Sequence, residues 1–169
     1  ALGSNLAGAL QTPQVQLNTA LAAIDELAFS RIRRVSSFYS TPPWSGDDSG
    51  DHDCRVEQPR YVNAVAEIQT DLAADALLRA LQAIEVAQGR IRDPKRANGL
   101  DLDLLLYSRI RLNTTELTCP HPRMHERAFV LLPLLEIAPD VHIPGLGKAE
   151  SYLAALTLSD IFKLEPDLL

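Results

Sequence analysis

A pair of aspartates carries the strongest chemical signal in the sequence, in the run Leu100-Asp101-Leu102-Asp103-Leu104. Residues two apart in a strand point to the same side, so the leucines would face the core and both aspartates the other face. Like charges so placed repel, and aspartate is disfavoured in strands. A divalent cation offsets that cost, and Mg²⁺ is typically held by one or two carboxylates together with substrate phosphates. The pattern predicts a metal site, with a solvated strand face as the alternative.

Basic residues cluster around this aspartate pair. The pattern Glu85-x-x-x-Gly89-Arg90-x-Arg92 precedes it, and Arg127 follows it. From position 90 to 127 there are eight Lys or Arg against five Asp or Glu, although the whole chain has a net charge of −6. Arginine pairs bidentately with phosphate oxygens, so carboxylates beside arginines suggest phosphoryl transfer. An acidic chain with one basic segment is a poor general nucleic-acid binder and fits a local anion site better. The alternative to an anion site is a solvated basic loop and helix face.

A third group combines aromatic rings with an amide. Tyr61 and Asn63 fall on the same face of a predicted strand, and Thr41-Pro42-Pro43 ends the preceding strand. A ring beside a carboxamide can stack on a flat heterocycle and hydrogen-bond to it, and Phe129 offers a second stacking face. Ordinary packing is the alternative for each of these residues taken alone.

Two histidines stand four residues apart, at positions 121 and 125, which is a spacing that metal pairs use on helices. The acidic partner of the HExxH motif is missing and Pro122 disturbs a helix start, so we do not predict a zinc site. A phosphate contact from His121, either as a neutral donor or as a cation, is the better interpretation.

These residues require a particular set of elements to position them. Apolar periodicity predicts strands at 31–40, 61–70 and 100–107 and helices at 13–28 and 72–88, and Ala1-Leu2 reads as the end of a strand that begins upstream. A hairpin at 109–112 and 116–119, a helix at 127–137 and a weak helix at 150–156 would follow. We therefore predict an α+β fold with a ferredoxin-like βαββαβ core. Its mainly antiparallel sheet would carry the helices, with extra elements at the C-terminal end.

Composition places the chain among ordinary globular proteins. Its 169 residues are 46% hydrophobic and include two cysteines. That length predicts a single domain over 1–169, and so few cysteines fit a reducing compartment. No apolar run is long enough for a membrane span and no secretory leader is evident, so we expect a cytoplasmic monomer. The polar, acidic stretch from Ser45 to Pro59 reads as a long loop.

Six segments in this order resemble the 6-hydroxymethyl-7,8-dihydropterin pyrophosphokinase family of folate biosynthesis. The resemblance runs from Gly3 to about Pro139, and each segment is weak alone whereas the ordered set is specific. The segments are Gly3-Ser4-Asn5-Leu6, Ser36-Ser37-Phe38-Tyr39-x-Thr41-Pro42-Pro43, Tyr61-x-Asn63-Ala64-Val65, Glu85-x-x-x-Gly89-Arg90-x-Arg92, Leu100-Asp101-Leu102-Asp103, and Pro120-His121-Pro122 continuing through Arg127, Phe129 and Pro133 to Glu136-Ile137.

The resemblance implies transfer of the β,γ-pyrophosphoryl unit of ATP to the pterin hydroxymethyl group, with release of AMP. It implies that Asp101 and Asp103 hold two Mg²⁺ ions and are catalytic together with Arg90 and Arg92. The residues implied along the nucleotide are Glu85, Arg90, Arg92, Thr118, His121 and Arg127. The residues implied around the pterin are Thr41, Pro43, Tyr61, Asn63, Asp101 and Phe129. ATP and the pterin would be the partners, with no nucleic acid or membrane involved.

The basic loop departs from the family pattern. Lys95-Arg96-Ala97-Asn98-Gly99 runs directly into Leu100, where the family usually carries a Trp-Gly-Pro-Arg-like stretch, so that a family arginine is absent. Two alternatives stay open, and the departure bears on the first of them. One is a relict that binds ATP or pterin without turnover, and the other is a non-catalytic ferredoxin-like binding module, such as an RNA-binding domain or a small-molecule sensor.

Overall fold

The computed structural model describes residues 1–5, 12–43, 59–90 and 99–165. The acidic loop after Trp44 and the basic loop with Arg92 lie outside the described residues. Four helices are formed: α1 (Pro13–Asp25), α2 (Ala74–Ala87), α3 (Ala128–Ile137) and α4 (Ala149–Leu153). The strands are β1 (Leu2–Ser4), β2 (Ser30–Val35), β3 (Tyr39–Thr41), β4 (Tyr61–Ala64), β5 (Ala66–Thr70), β6 (Leu100–Leu102), β7 (Leu112–Asn113), β8 (Thr118–Cys119), β9 (His142–Ile143), β10 (Gly147–Lys148) and β11 (Phe162–Lys163).

The central sheet has five strands in the order β11-β3-β4-β1-β6, and every neighbouring pair is antiparallel. In its middle, Gly3 of β1 lies opposite Asn63 of β4 on one side and Asp101 of β6 on the other. Directly opposed residues project from the same face of a sheet. The predicted mixed α+β fold with a mainly antiparallel sheet is therefore confirmed, and three polar-face positions stand in one row.

Helices α1 and α2 share a core with the other face of this sheet. Leu17 and Ile24 of α1 and Leu81 of α2 are buried against Leu100 and Leu102 of β6. Thr12 caps the start of α1 by accepting from the Val15 N–H. This packing assigns the leucines of β6 to the core and leaves its aspartates to the opposite face.

Several element boundaries differ from the predicted ones. Helix α1 ends at Asp25 instead of 28, because the Asp25 carboxylate accepts the Ile32 N–H at 2.7 Å and Phe29 adopts a positive φ of 60°. Helix α2 is Ala74–Ala87, two residues later at its start and one residue shorter at its end than predicted, and Gly89 follows it with φ +84°.

The two long predicted strands, 31–40 and 61–70, are each divided in two. Ser36 and Val65 form the break, where the Ser36 N–H donates to the Val65 carbonyl at 2.9 Å and the Val65 N–H donates to Ser36 Oγ at 3.0 Å. The side-chain hydroxyl takes the place of a ladder acceptor, so β2–β5 form a separate two-stranded sheet. Alternating polarity does not reveal such a break, because both halves keep the period of two.

Strand β6 is shorter than the predicted 100–107. Its ladder with β1 covers Leu100–Leu102, and the Asp103 N–H makes one further bond to the Ala1 carbonyl at 3.0 Å. Among the described residues no ladder partner continues beside 104–107, so the apolar run there packs without being a strand. Helix α3 does run through Pro133, whose ring is buried in the molecule.

The carboxylate of Glu136 fastens α3 to the edge of the sheet. It accepts the N–H and the hydroxyl of Ser37 at 2.9 and 2.7 Å, the Tyr39 hydroxyl at 3.0 Å and the Lys163 ammonium at 3.0 Å. Burial and the neighbouring Glu136 raise the pKa of Tyr39 to about 12. Through Lys163 the same group also holds β11, a strand that the sequence analysis did not predict. None of the helices in the described part of the chain is long and apolar enough to cross a membrane.

Shortening a leucine at the centre of the core should cost much of the fold's stability. We expect Leu100→Ala to lower the free energy of unfolding by about 2–5 kcal/mol, because Leu100 is fully buried between the sheet and both helices. Leu158→Ala is the matched control, since 40% of Leu158 is exposed. Urea unfolding measures both, and equal losses in the two variants would contradict this placement of the core.

Candidate functional site

A basin opens on the sheet face opposite α1 and α2. It brings together residues that the sequence separates by more than a hundred positions. Its lining includes Gly3, Thr41, Pro42, Pro43, Tyr61, Asn63, Asp101, Asp103, Arg127 and Phe129. The predicted groups of aromatic, amide, acidic and basic residues thus meet in one place.

The amide of Asn63 is fixed at the floor of the basin. Its Nδ2 donates to Thr41 Oγ1 at 2.8 Å, which directs Oδ1 toward Gly3. A Cβ on Gly3 would lie 2.9 Å from that oxygen, closer than side chains pack. A side chain at position 3 would therefore crowd the Asn63 amide, and a glycine inside a strand is the sequence signal for such a close approach.

Aromatic side chains form the walls of the basin. Tyr61 is half-buried beside Asp101, and burial followed by the charge of Asp101 raises the pKa of its phenol. The Arg127 guanidinium lies 5.9 Å from the centre of the Phe129 ring. The distance permits a cation–π contact, so one side of the Phe129 ring is already partnered by a cation.

Asp101 forms an ion pair with Arg90, which in turn contacts a buried carboxylate. Arg90 Nη1 lies 2.7 Å from Asp101 Oδ1 and also donates to Glu85 Oε1. The same Glu85 oxygen accepts the Leu102 N–H at 2.7 Å, on the outer edge of β6. The Glu85 side chain is only 3% exposed. Burial raises the pKa of Glu85, while the Leu102 N–H and Arg90 act against that shift.

Asp103 lies near a guanidinium and an imidazole. Arg127 Nη1 lies 3.4 Å and His121 Nε2 lies 3.9 Å from Asp103 Oδ2. Burial lowers the pKa of His121, the charge of Asp103 partly reverses this shift, and Arg127 adds to the lowering. The lowered pKa favours the neutral imidazole over the imidazolium.

Five predicted site residues are not in the basin lining, and two of them, Arg90 and His121, lie against its aspartates. Glu85 lies behind β6 and reaches the basin through Arg90. Thr118 is exposed on β8, where its hydroxyl donates to Asn113 Oδ1 at 3.2 Å. Arg92 lies outside the described residues. The part played by Glu85 has no sequence signal beyond a single acidic residue on the apolar face of a helix.

The donor atoms suit a hard divalent cation only in part. Asp101 and Asp103 both face the basin, and carboxylate oxygens are the ligands that Mg²⁺ prefers. The described residues contain no group of three His, Cys, Asp or Glu side chains placed to hold a metal. The protein would thus supply two carboxylates, and water and substrate phosphates would complete the shell, as is usual for Mg²⁺.

The protonation of His121 should be measurable directly. We expect its ring resonances to titrate below pH 6.5, because burial disfavours the imidazolium. A lowered pKa in the folded state means that this group's contribution to stability is complete above about pH 6.5 and is lost as the pH falls through the folded value. Proton NMR during acid titration gives the midpoint. Asp103→Asn should lower it further, and a higher midpoint in that variant would contradict the assigned contact.

Comparison with known proteins supplies the family. A sequence model described as 7,8-dihydro-6-hydroxymethylpterin-pyrophosphokinase matches residues 1–139. Three similar proteins are each named 2-amino-4-hydroxy-6-hydroxymethyldihydropteridine pyrophosphokinase. The one from Pseudomonas aeruginosa is 42% identical, with 97% of this chain and 94% of that protein covered. The one from Haemophilus influenzae is 45% identical, with 98% and 96% covered, and the one from Bacillus subtilis is 38% identical, with 83% and 77% covered.

These matches confirm the resemblance that the six ordered segments carry. The matched region begins before Gly3 and ends at 139, and it includes every described residue of the basin lining. The chain belongs to the 7,8-dihydro-6-hydroxymethylpterin pyrophosphokinase family, whose members act in folate biosynthesis.

Proposed function

We propose that the basin is where this chain carries out the reaction of its family. The enzyme transfers the pyrophosphoryl group of ATP to the hydroxymethyl group of 6-hydroxymethyl-7,8-dihydropterin. The observation that carries the proposal is the strand register, which sets Asn63, Gly3 and Asp101 side by side at the floor of one basin. An amide for a heterocycle and a carboxylate for a metal–phosphate group thus lie on the two strands that flank β1.

The pterin end of the basin is assigned to Thr41, Pro43, Tyr61, Asn63 and Phe129, with Asp101 beside it. Asn63 Oδ1 can accept a hydrogen bond from a ring or amino N–H of the pterin, because Thr41 already engages the Asn63 Nδ2 group. Tyr61 and Phe129 offer faces on which the flat ring system can stack. Fixing the pterin in this way sets the position of its hydroxymethyl oxygen relative to Asp101.

The nucleotide end is assigned to the basic residues around β6. Arg90, Arg92, His121 and Arg127 would contact the phosphates and Thr118 the more distant part of the nucleotide. Glu85 belongs to this group through Arg90, whose guanidinium it holds. Asp101 and Asp103 would hold two Mg²⁺ ions, which neutralise the triphosphate and polarise its phosphorus atoms when bound.

The chemistry assigned to the chain is positioning and charge stabilisation. A bond forms between the hydroxymethyl oxygen and the β-phosphorus, and the hydroxyl proton is released to water. The bond from that phosphorus to the α-phosphate oxygen breaks, and AMP leaves with that oxygen. We assign to Arg90 and Arg92 the stabilisation of the negative charge that develops on the transferred group. Two aligned substrates with their charge neutralised account for most of the catalysis that such a transfer needs.

The same proposal includes the finer description of the fold and its setting. Strands β3, β4, β1 and β6 are neighbours in that order, with α1 between β1 and β3 in the chain and α2 between β4 and β6. This arrangement supports a ferredoxin-like βαββαβ core. We assign residues 1–169 to one pyrophosphokinase domain that works as a monomer, and ATP as co-substrate supports a cytoplasmic setting.

Product analysis tests the reaction. We expect AMP when the protein is incubated with ATP, Mg²⁺ and 6-hydroxymethyl-7,8-dihydropterin, and none when the pterin is left out. Formation of ADP would contradict pyrophosphoryl transfer. Binding of both substrates without AMP would support the relict alternative that the departure of the basic loop from the family pattern raised.

Variants of the two aspartates test the assigned site in the same assay. Asp101→Asn and Asp103→Asn should each lower kcat at least about 100-fold, because each removes a negative charge that balances cations around the phosphates. Asp75→Asn is the matched control, since Asp75 is an exposed carboxylate on α2 paired with Arg79. Full activity in either site variant would rule out its assigned role, provided that circular dichroism shows the fold is kept.

Crowding at Gly3 tests the pterin end separately. Gly3→Ala places a methyl group 2.9 Å from Asn63 Oδ1, so the amide has to move and lose its hydrogen bond to the pterin. We expect the KM for the pterin to rise about tenfold, the value of one lost hydrogen bond, with a much smaller change in the KM for ATP. Gly99→Ala is the control, because its new methyl would lie at an ordinary 3.5 Å from Gln16 Nε2.

A further inference from the structure

Each of the two aspartates of the basin is already matched with an arginine. Asp101 pairs with Arg90 at 2.7 Å and Asp103 with Arg127 at 3.4 Å. Both guanidinium groups are largely shielded from water, with 17% of each side chain exposed. Ion pairs in such surroundings are stronger than those at an open surface, because less solvent screens them.

These pairs compete with a metal ion for the same carboxylates. The Arg90 N–H that donates to Asp101 Oδ1 at 2.7 Å occupies one of the lone-pair sites of that carboxylate. Its positive charge also lies within a few ångströms of the place that the ion would occupy, where the two cations repel each other. A divalent ion arriving alone must therefore displace an arginine from its aspartate without supplying a phosphate in exchange.

We propose that Arg90 and Arg127 hold the places of the two divalent ions on Asp101 and Asp103, and give them up only when a polyphosphate arrives with its metal. The phosphates then take the arginines while the ions take the aspartates, so every charge keeps a partner throughout. This inference rests on the function proposed above, and it adds that metal and nucleotide bind as one coupled unit.

The contacts on the far side of each arginine fit such an exchange. Arg90 stays anchored by Glu85, whose side chain is 3% exposed and is itself held by the Leu102 N–H. The Arg127 guanidinium lies 5.9 Å from the centre of the Phe129 ring, a contact that does not depend on Asp103. Each arginine can therefore release its aspartate and turn toward a phosphate without leaving the basin.

The exchange has a thermodynamic signature. If the arginines compete with the ion, removing either of them should tighten the binding of a divalent ion in the absence of nucleotide. Coupling between two ligands is reciprocal. The same substitution should therefore reduce the factor by which metal and nucleotide raise each other's affinity. In the alternative, the ion binds to protein and phosphate oxygens together but does not compete with an arginine. Metal and nucleotide would still be coupled, yet removal of an arginine would not raise the affinity for the ion alone.

Titration with Mn²⁺, followed by the electron paramagnetic resonance of the free ion, tests the proposal. The proteins are the wild type, Arg127→Gln and Arg90→Gln, each alone and with an ATP analogue whose α,β-bridging oxygen is replaced by methylene. We expect Mn²⁺ alone to bind each arginine variant at least about fivefold more tightly than the wild type, given the repulsion removed. The analogue should tighten Mn²⁺ binding more in the wild type than in either variant.

Arg123→Gln is the matched control, because it makes the same change of net charge at an arginine that pairs with Glu126 outside the basin lining. It should leave Mn²⁺ binding unchanged, and equal tightening there would overturn the exchange in favour of a general charge effect. Unchanged Mn²⁺ affinity in Arg127→Gln would also overturn it, even if Arg90→Gln failed to fold. Absence of Mn²⁺ binding to the wild type with the analogue present would instead overturn the metal site of the proposed function.

Discussion

The ladder of β1 between β4 and β6 is the constraint on which the rest of the molecule depends. It is three residues long on each side, yet its register decides which side chains meet. A shift by one residue would send Gly3 to the helices and Leu2 into the basin, since neighbouring residues of a strand face opposite ways. Burial of Leu2, Leu100 and Leu102 against α1 and α2 prevents that shift. One strand register thus places the hydrophobic core and the polar basin on opposite faces of the same sheet.

Around this ladder the protein balances charge locally instead of spreading it. The chain is acidic as a whole, yet each basin carboxylate has a cation at hand and each basin cation has a carboxylate. Glu85 extends the alternation to the interior, where an unpaired charge would be costly. This arrangement suits the basin to a polyanion. The arginines that would contact the polyanion are held in place by carboxylates, and a metal ion can take the place of an arginine on its carboxylate.

The site was more predictable from sequence than the elements that carry it. The period of two placed Asp101 beside Asp103 and Tyr61 beside Asn63, and the basin contains all four. Strand lengths were overestimated at 100–107, because apolar alternation does not reveal where a ladder partner ends. The break at Val65 depends on one serine hydroxyl, and the role of Glu85 on a contact across 17 residues, so neither has a local pattern.

An acidic side chain engages the outermost strand on each side of the central sheet. On one side β11 pairs with β3, and the Lys163 contact to Glu136 keeps it there. On the other side the Leu102 N–H, which would otherwise point outward from β6, is taken by the carboxylate of Glu85. Exposed strand edges recruit other chains into aggregates. The acidic residue that steadies the arginine of the basin therefore also protects the sheet from joining another molecule edge to edge.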